Sequence, residues 1–232
     1  DEQIIKARGK LVTGSHPAEE IIKYADKTGA DLILMATYGR SGISRWAMGS
    51  VAYKVLRSAL VPVWLIRAGL SSEIIQDKLP IKTILVPLDG SKLAETALPY
   101  IEALVKQLGP EQVKVTLLRI CQPQAVRSGY SPVISLGWEK QAARDMFQCK
   151  LVARSYLGDI EKRLRAAGIR ACAVVVTGEP DDKIIEYTQQ KGTSLVAMTI
   201  HGRSGISRWA YGSVAERVML EAPTPIFLVR PR

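Results

Sequence analysis

The stretch Gly39–Ser50 reads GRSGISRWAMGS, and Gly202–Ser213 reads GRSGISRWAYGS; only Met48 and Tyr211 differ. The correspondence runs without a gap from Met35 and Met198 to the end of each copy. There SVAYKVLRSALVPVWLIR (Ser50–Arg67) lies beside SVAERVMLEAPTPIFLVR (Ser213–Arg230). Upstream, LVTGSHPAEEII (Leu11–Ile22) matches VVTGEPDDKII (Val175–Ile185), with one extra residue in the first copy. A repeat with a domain-sized period is a duplicated unit and not a solenoid.

The two copies are unequal. About ten residues precede the VTG segment in the first, and the second carries a long stretch ahead of it. Projected back by the repeat, the first copy would begin roughly 80 residues before Asp1. The expected organisation is therefore the C-terminal part of a first domain over 1–69, a linker over 70–80 (LSSEIIQDKLP), and a complete second domain over 81–232. In the first copy the third and fourth strands would lack the strands that bridge them. Missing chain or another subunit is expected to complete it.

The second copy alternates strand and helix signals. Apolar, β-branched runs at 81–88, 113–120, 170–177, 194–200 and 225–229 read as buried parallel strands. Helical spacing of Leu93, Ala97, Ile101, Leu104 and Leu108 is interrupted by Pro99, which predicts a kink or break. Further helices are expected at 138–167, 180–191 and 213–221, the first two stopped by Gly168 and Gly192. Residues 121–137 read as a long loop. This order predicts an α/β fold: two tandem copies of a doubly wound five-stranded parallel sheet with helices on both faces. Ligands of such sheets sit at the carboxyl ends of the strands, where strand order reverses.

Two strand-end loops carry the candidate chemistry. Gly202 and Gly205 let the backbone turn tightly and approach a ligand. Gly212-Ser213 opens a helix, whose free N–H groups favour phosphate, and Arg203 and Arg208 add positive charge. Gly39, Arg40, Gly42, Gly49 and Ser50 repeat the pattern in the first copy. A second reading stays open, because Ser213 with Glu216 also fits a capping box. Asp89 either turns the chain or faces a ligand. His16 and His201 lie in loops without a matching partner, and no Walker-type loop is present.

The chain of 232 residues carries a net charge of +10, which favours anionic partners such as nucleotides, nucleic acid or an acidic membrane surface. No nucleic-acid module is visible, and no apolar run is long enough to span a bilayer. The three cysteines, Cys121, Cys149 and Cys172, fit no metal or redox spacing; they are expected to be unpaired thiols in the cytoplasm.

Taken in order, V-P-L-D-G-S (Val86–Ser91), V-T-G-x-P-x-x-x-I (Val176–Ile184) and M-x-x-x-G-x9-G-S (Met198–Ser213) resemble the universal stress protein family. The resemblance covers 81–232 fully and 1–69 from the third strand onward. It implies binding of ATP, with or without Mg, or of AMP or ADP. Pro87, Leu88 and Asp89 would line the adenine and ribose end, with Ile120 on the base and Met198 and Thr199 closing the pocket. Gly202, Arg203, Gly212, Ser213 and Val214 would hold the phosphates. In the first copy Met35, Gly39, Arg40, Gly49, Ser50 and Val51 match the phosphate half. The family's first motif glycine is Thr199 here and Ala36 in the other copy, which leaves a nucleotide-free interaction or chaperone-like module as the alternative. The resemblance further implies a sensor or regulator of the stress response, with pairing of the two copies through their fifth strands, homo-oligomers and a protein partner. No general base or metal ligand is evident, so efficient catalysis is not expected. Slow ATP hydrolysis or self-phosphorylation stays open.

Overall fold

The computed structural model describes residues 6–37, 48–66, 81–122, 138–200 and 212–231. The apolar runs of the second copy form β3 (Thr83–Pro87), β4 (Lys114–Cys121), β5 (Arg170–Thr177), β6 (Leu195–Thr199) and β7 (Ile226–Val229). The first copy supplies β1 (Ile33–Ala36) and β2 (Val63–Ile66). All seven join one sheet in the order β1-β2-β7-β6-β3-β4-β5. Every pairing is parallel except that of β2 with β7. There Val63 lies opposite Leu228, Trp64 opposite Phe227 and Leu65 opposite Ile226. The two fifth strands thus meet edge to edge, and each covers the other's unpaired backbone groups.

Burial follows the cover on each face. Every residue of β6 and β7 is buried, because helices lie on both sides of these continuous apolar strands. One face carries α4 (Leu98–Leu108) and α5 (Trp138–Ala166), whose Leu98, Ile101, Leu157 and Leu164 pack on Ile84, Leu117 and Phe227. The other face carries α1 (Pro17–Thr28), α2 (Ser50–Ser58), α6 (Pro180–Gln190) and α7 (Ser213–Glu221). Here Val55, Leu56 and Leu65 of the first copy share one apolar cluster with Ile184, Val218 and Leu228 of the second. Leu65 and Leu228 are each 2% exposed, and burial of such a side chain contributes about 1.5–3 kcal/mol.

Local signals set the helix ends. Pro17 sits in the first turn of α1, and Gly29 ends it in the left-handed region at φ 62°. The short α3 (Lys92–Glu95) stops before α4, and Pro99 falls in the first turn of α4. The expected break is therefore real, and it places proline where its missing N–H costs nothing.

Among the described residues the helices of the first copy, α1 and α2, lie on one face of the sheet. Of its apolar side chains among the described residues, Trp64 alone reaches the cluster on the other face, and Leu34 is 59% exposed. Two expectations need correction. The third strand of the first copy does not form: residues 10–14 are without regular structure, and Leu11 is 87% exposed. The matching β5 takes its ladder from β4 over eight register pairs, and the first copy offers no described counterpart of β4. Finally, Cys121 and Cys149 are not unpaired thiols: they form a disulfide, and Cys172 is the free cysteine. Residues 28 apart in sequence meet because the end of β4 and the flank of α5 are neighbours in space. The linker at 70–80 and most of the expected loop after Cys121 lie outside the described residues.

Candidate functional site

Strand β3 has β4 on one side and β6 on the other, so strand order reverses around it. The crevice this opens at the strand ends holds a cavity of about 290 Å³. Pro87, Leu88 and Asp89 line it from β3, Ile120 from β4, and Met198 and Thr199 from β6. Gly212, Ser213 and Val214 line it from the start of α7. The structure thus brings together every expected residue of the second copy that it describes. Gly202, Arg203 and Gly205 lie outside the described residues, as do Gly39, Arg40 and Gly42 of the first copy, and His201.

At the β3 end the backbone is held by its own side chains. Asp89 Oδ1 accepts from the Ser91 N–H at 2.9 Å and from Ser91 Oγ at 2.6 Å. Ser91 Oγ in turn accepts from the Ala94 N–H at 3.1 Å and caps α3. Asp89 therefore both turns the chain and borders the cavity, so the two readings of this residue are compatible. Gly90 is required between them: its φ is 83°, and a Cβ there would stand 3.3 Å from Arg119 Nη1.

Gly212 is the N-cap of α7 and Ser213 its first helical residue, and among the described residues no side chain caps its free N–H groups. The capping-box reading fails for a geometric reason, because Ser213 is one position too far along to serve as the cap. The turn is positioned by the Gly212 N–H donating to Ile200 O at 3.0 Å. The first copy repeats this: the Gly49 N–H donates to Thr37 O at 2.9 Å, and Ser50 and Val51 begin α2 without a side-chain cap among the described residues. Met35 lies in β1 and packs on the shared core.

Several lining residues were not anticipated. Arg119 borders the cavity and donates from Nη1 to Leu88 O at 3.2 Å. A charged residue near the end of an otherwise apolar strand was the signal for it. Gln122, Pro180 and Ile184 also line the cavity, from the β4 end and from α6. Nearby, burial, with the carboxylates of Glu95 and Asp89 beside it, pushes the Tyr156 phenol well above its usual value, so it stays protonated. His16 stands before α1, exposed and bonded to Ser15 Oγ at 2.9 Å.

Ion pairs tie the helices behind the cavity. Arg217 of α7 reaches Asp181 at 2.8 Å and Asp182 at 2.7 Å at the start of α6. Lys54 to Glu19, at 2.8 Å, is the same link between α2 and α1. No helix of the described residues is long and apolar enough to cross a membrane.

The pattern of the universal stress protein family matches residues 2–67 and 80–230. A universal stress protein of Methanocaldococcus jannaschii is 26% identical over 156 residues, which is 64% of this chain and 94% of that protein. One from Mycolicibacterium smegmatis is 26% identical over 203 residues, 88% of this chain but 63% of that protein. Among solved structures, a universal stress protein from Archaeoglobus fulgidus superposes with a TM-score of 0.62 at 22% identity, covering 92% of this chain and 66% of that one. Two matches in succession, falling on the two copies that the sheet joins through β2 and β7, leave one assignment: the chain belongs to the universal stress protein family.

Proposed function

We propose that the second copy binds an adenine nucleotide, ATP in the first place, and that the protein acts as a nucleotide-dependent sensor or regulator in the stress response. The observation that carries this reading is the start of α7, which has no side-chain cap among the described residues and lines the switch-point cavity. Free N–H groups and the positive end of the helix suit phosphate there. Pro87, Leu88 and Ile120 offer an apolar end for a base, with Asp89 beside it for ribose hydroxyls. The cavity is close to the lower end of the usual range for small-molecule sites, about 300 Å³. Gly212, Ser213 and Val214 would take the phosphates, and Gly202, Arg203 and Gly205 complete the proposed cradle. In the first copy Met35, Gly49, Ser50 and Val51, with Gly39, Arg40 and Gly42, form the corresponding half-cradle of this proposal.

One observation favours a second reading. Thr199, 6% exposed, puts a side chain at the cavity where nucleotide-binding members carry their first motif glycine. A nucleotide-free interaction module is the alternative. The two separate by analysing small molecules released from the denatured protein and by titrating ATP in a calorimeter. Released or titratable nucleotide is expected; none released, and no heat up to millimolar ATP, would leave the interaction module.

A further inference from the structure

The disulfide adjoins the cavity without lining it. Cys121 is the last residue of β4, is fully buried, and stands between Ile120 and Gln122, which both line the cavity. Its carbonyl accepts from the Gly178 N–H at 3.1 Å. Gln122 Nε2 donates to Glu179 Oε2 at 2.8 Å. Gly178 and Glu179 lead directly into α6, which contributes Pro180 and Ile184 to the same cavity. The end of β4 and the start of α6 are thus one hydrogen-bonded wall. Cys149 clamps α5 to that wall, with the two Cα atoms 6.1 Å apart. Cys149 is half-buried, so it is the more accessible residue of the two. Cys172 lies apart on β5, beside Thr116 at 3.5 Å.

We infer that the Cys121–Cys149 bond is a redox latch on this site: closed, it holds the wall in the shape that accepts a nucleotide, and open, it lets that wall loosen. The inference rests on the nucleotide reading above. A wall that must be ordered on binding costs affinity, and a covalent clamp removes that cost beforehand. Opening proceeds by thiol exchange with a small or protein thiol. Its thiolate attacks Cys149 Sγ, the S–S bond breaks, and the electron pair leaves on Cys121 Sγ, which takes up a proton. A second thiolate then attacks the reagent's sulfur in the mixed disulfide. Cys149 departs as a thiol, and the two reagent thiols are oxidised to a disulfide. The protein gains the two electrons that the reagent loses, and oxidised glutathione reverses the exchange.

The test uses the whole chain, oxidised with oxidised glutathione or reduced with dithiothreitol. Thiols titrated in denaturant should number one in the oxidised form and three in the reduced form, given the three cysteines and the single bond. Calorimetry should show ATP binding at least about threefold more weakly after reduction. Cys149→Ser should behave as the reduced protein in both buffers, and Cys172→Ser should keep the switch. Without nucleotide, hydrogen exchange of the Gly178 amide should quicken on reduction. Three thiols after oxidation, equal ATP affinity in the two forms, or tighter binding after reduction overturns the latch. ATP binding to neither form overturns the nucleotide reading instead; faster Gly178 exchange would then still support a latched wall, and unchanged exchange would end both.

Discussion

Gly212 has φ −64° and ψ 139°, a backbone conformation that any residue adopts. A substitution there is free of backbone strain. Gly212→Trp is expected to weaken ATP binding at least about tenfold, close to 1.4 kcal/mol, in calorimetry. Its melting temperature should stay within about 2 °C of the parent. Full affinity in the variant would remove the start of α7 from the nucleotide site. Asp181 gives a second residue-scale expectation, in pH. Burial works to raise its pKa, but the Arg217 hydrogen bond, the backbone N–H of Asp182 and the charge of Arg217 together outweigh that and hold the carboxyl below the usual value. A carboxylate lowered in the folded state adds stability that is complete above its unfolded value of about 3.9 and is lost as pH falls through its folded value. Asp181→Asn should therefore have a lower urea midpoint than the parent by a constant margin from pH 7 to about 5, and the margin should shrink below about pH 4. A margin that widened toward acid would place the stabilisation in another group.

Elements were legible where their cause was local. The run RACAVVVT predicts β5 because an apolar, β-branched stretch has few other uses, and the strand occupies Arg170–Thr177. The helix at Ser213–Glu221 begins and ends as its sequence indicates. What the sequence did not reveal depends on distant partners. The matching stretch of the first copy, KARGKLVT (Lys6–Thr13), ends like its twin in apolar residues and Thr but is more charged; a strand also needs a neighbour to bond to, and none is described there. The disulfide was invisible because its two cysteines belong to different elements, and Arg119 was missed because only the folded turn brings it to Leu88. The β2–β7 junction was legible only through the family resemblance, and it yields its own expectation. Leu65 and Leu228 sit in the core that both copies share, and Trp64 meets Phe227 edge-on at 6.2 Å. Phe227→Ala should cost about 3–5 kcal/mol from cavity formation and lost ring contact. Leu228→Glu places an unpaired charge in the same core and should open the junction outright. Denaturant melts and X-ray scattering check both; unchanged stability and unchanged dimensions would show that the copies hold together elsewhere.

At the scale of the molecule, the two ends of the sheet differ. One end is β5, and the other is β1, whose outer edge has no strand beside it among the described residues. Next to β1 lies an apolar groove bordered by Leu11, Tyr24 and Leu34, which are 87%, 43% and 59% exposed. An open edge flanked by exposed apolar side chains is a template for another chain. The net charge of +10 opposes that contact between like molecules. These two effects act over different distances. The charge repels at long range and is screened by salt within about 10 Å at 0.1 M, whereas the edge acts only on contact. Residues 1–232 are therefore expected to self-associate as concentration rises, and more so as salt is raised. Leu34→Lys removes an apolar contact and adds a charge at the edge, so it should hold the chain as a single species at concentrations where the parent has begun to associate. Sedimentation velocity over a concentration series at low and high salt reads this directly. If parent and variant sediment alike at every concentration, the edge of β1 is already closed to partners; if association weakens with salt, charge and not the apolar edge drives it.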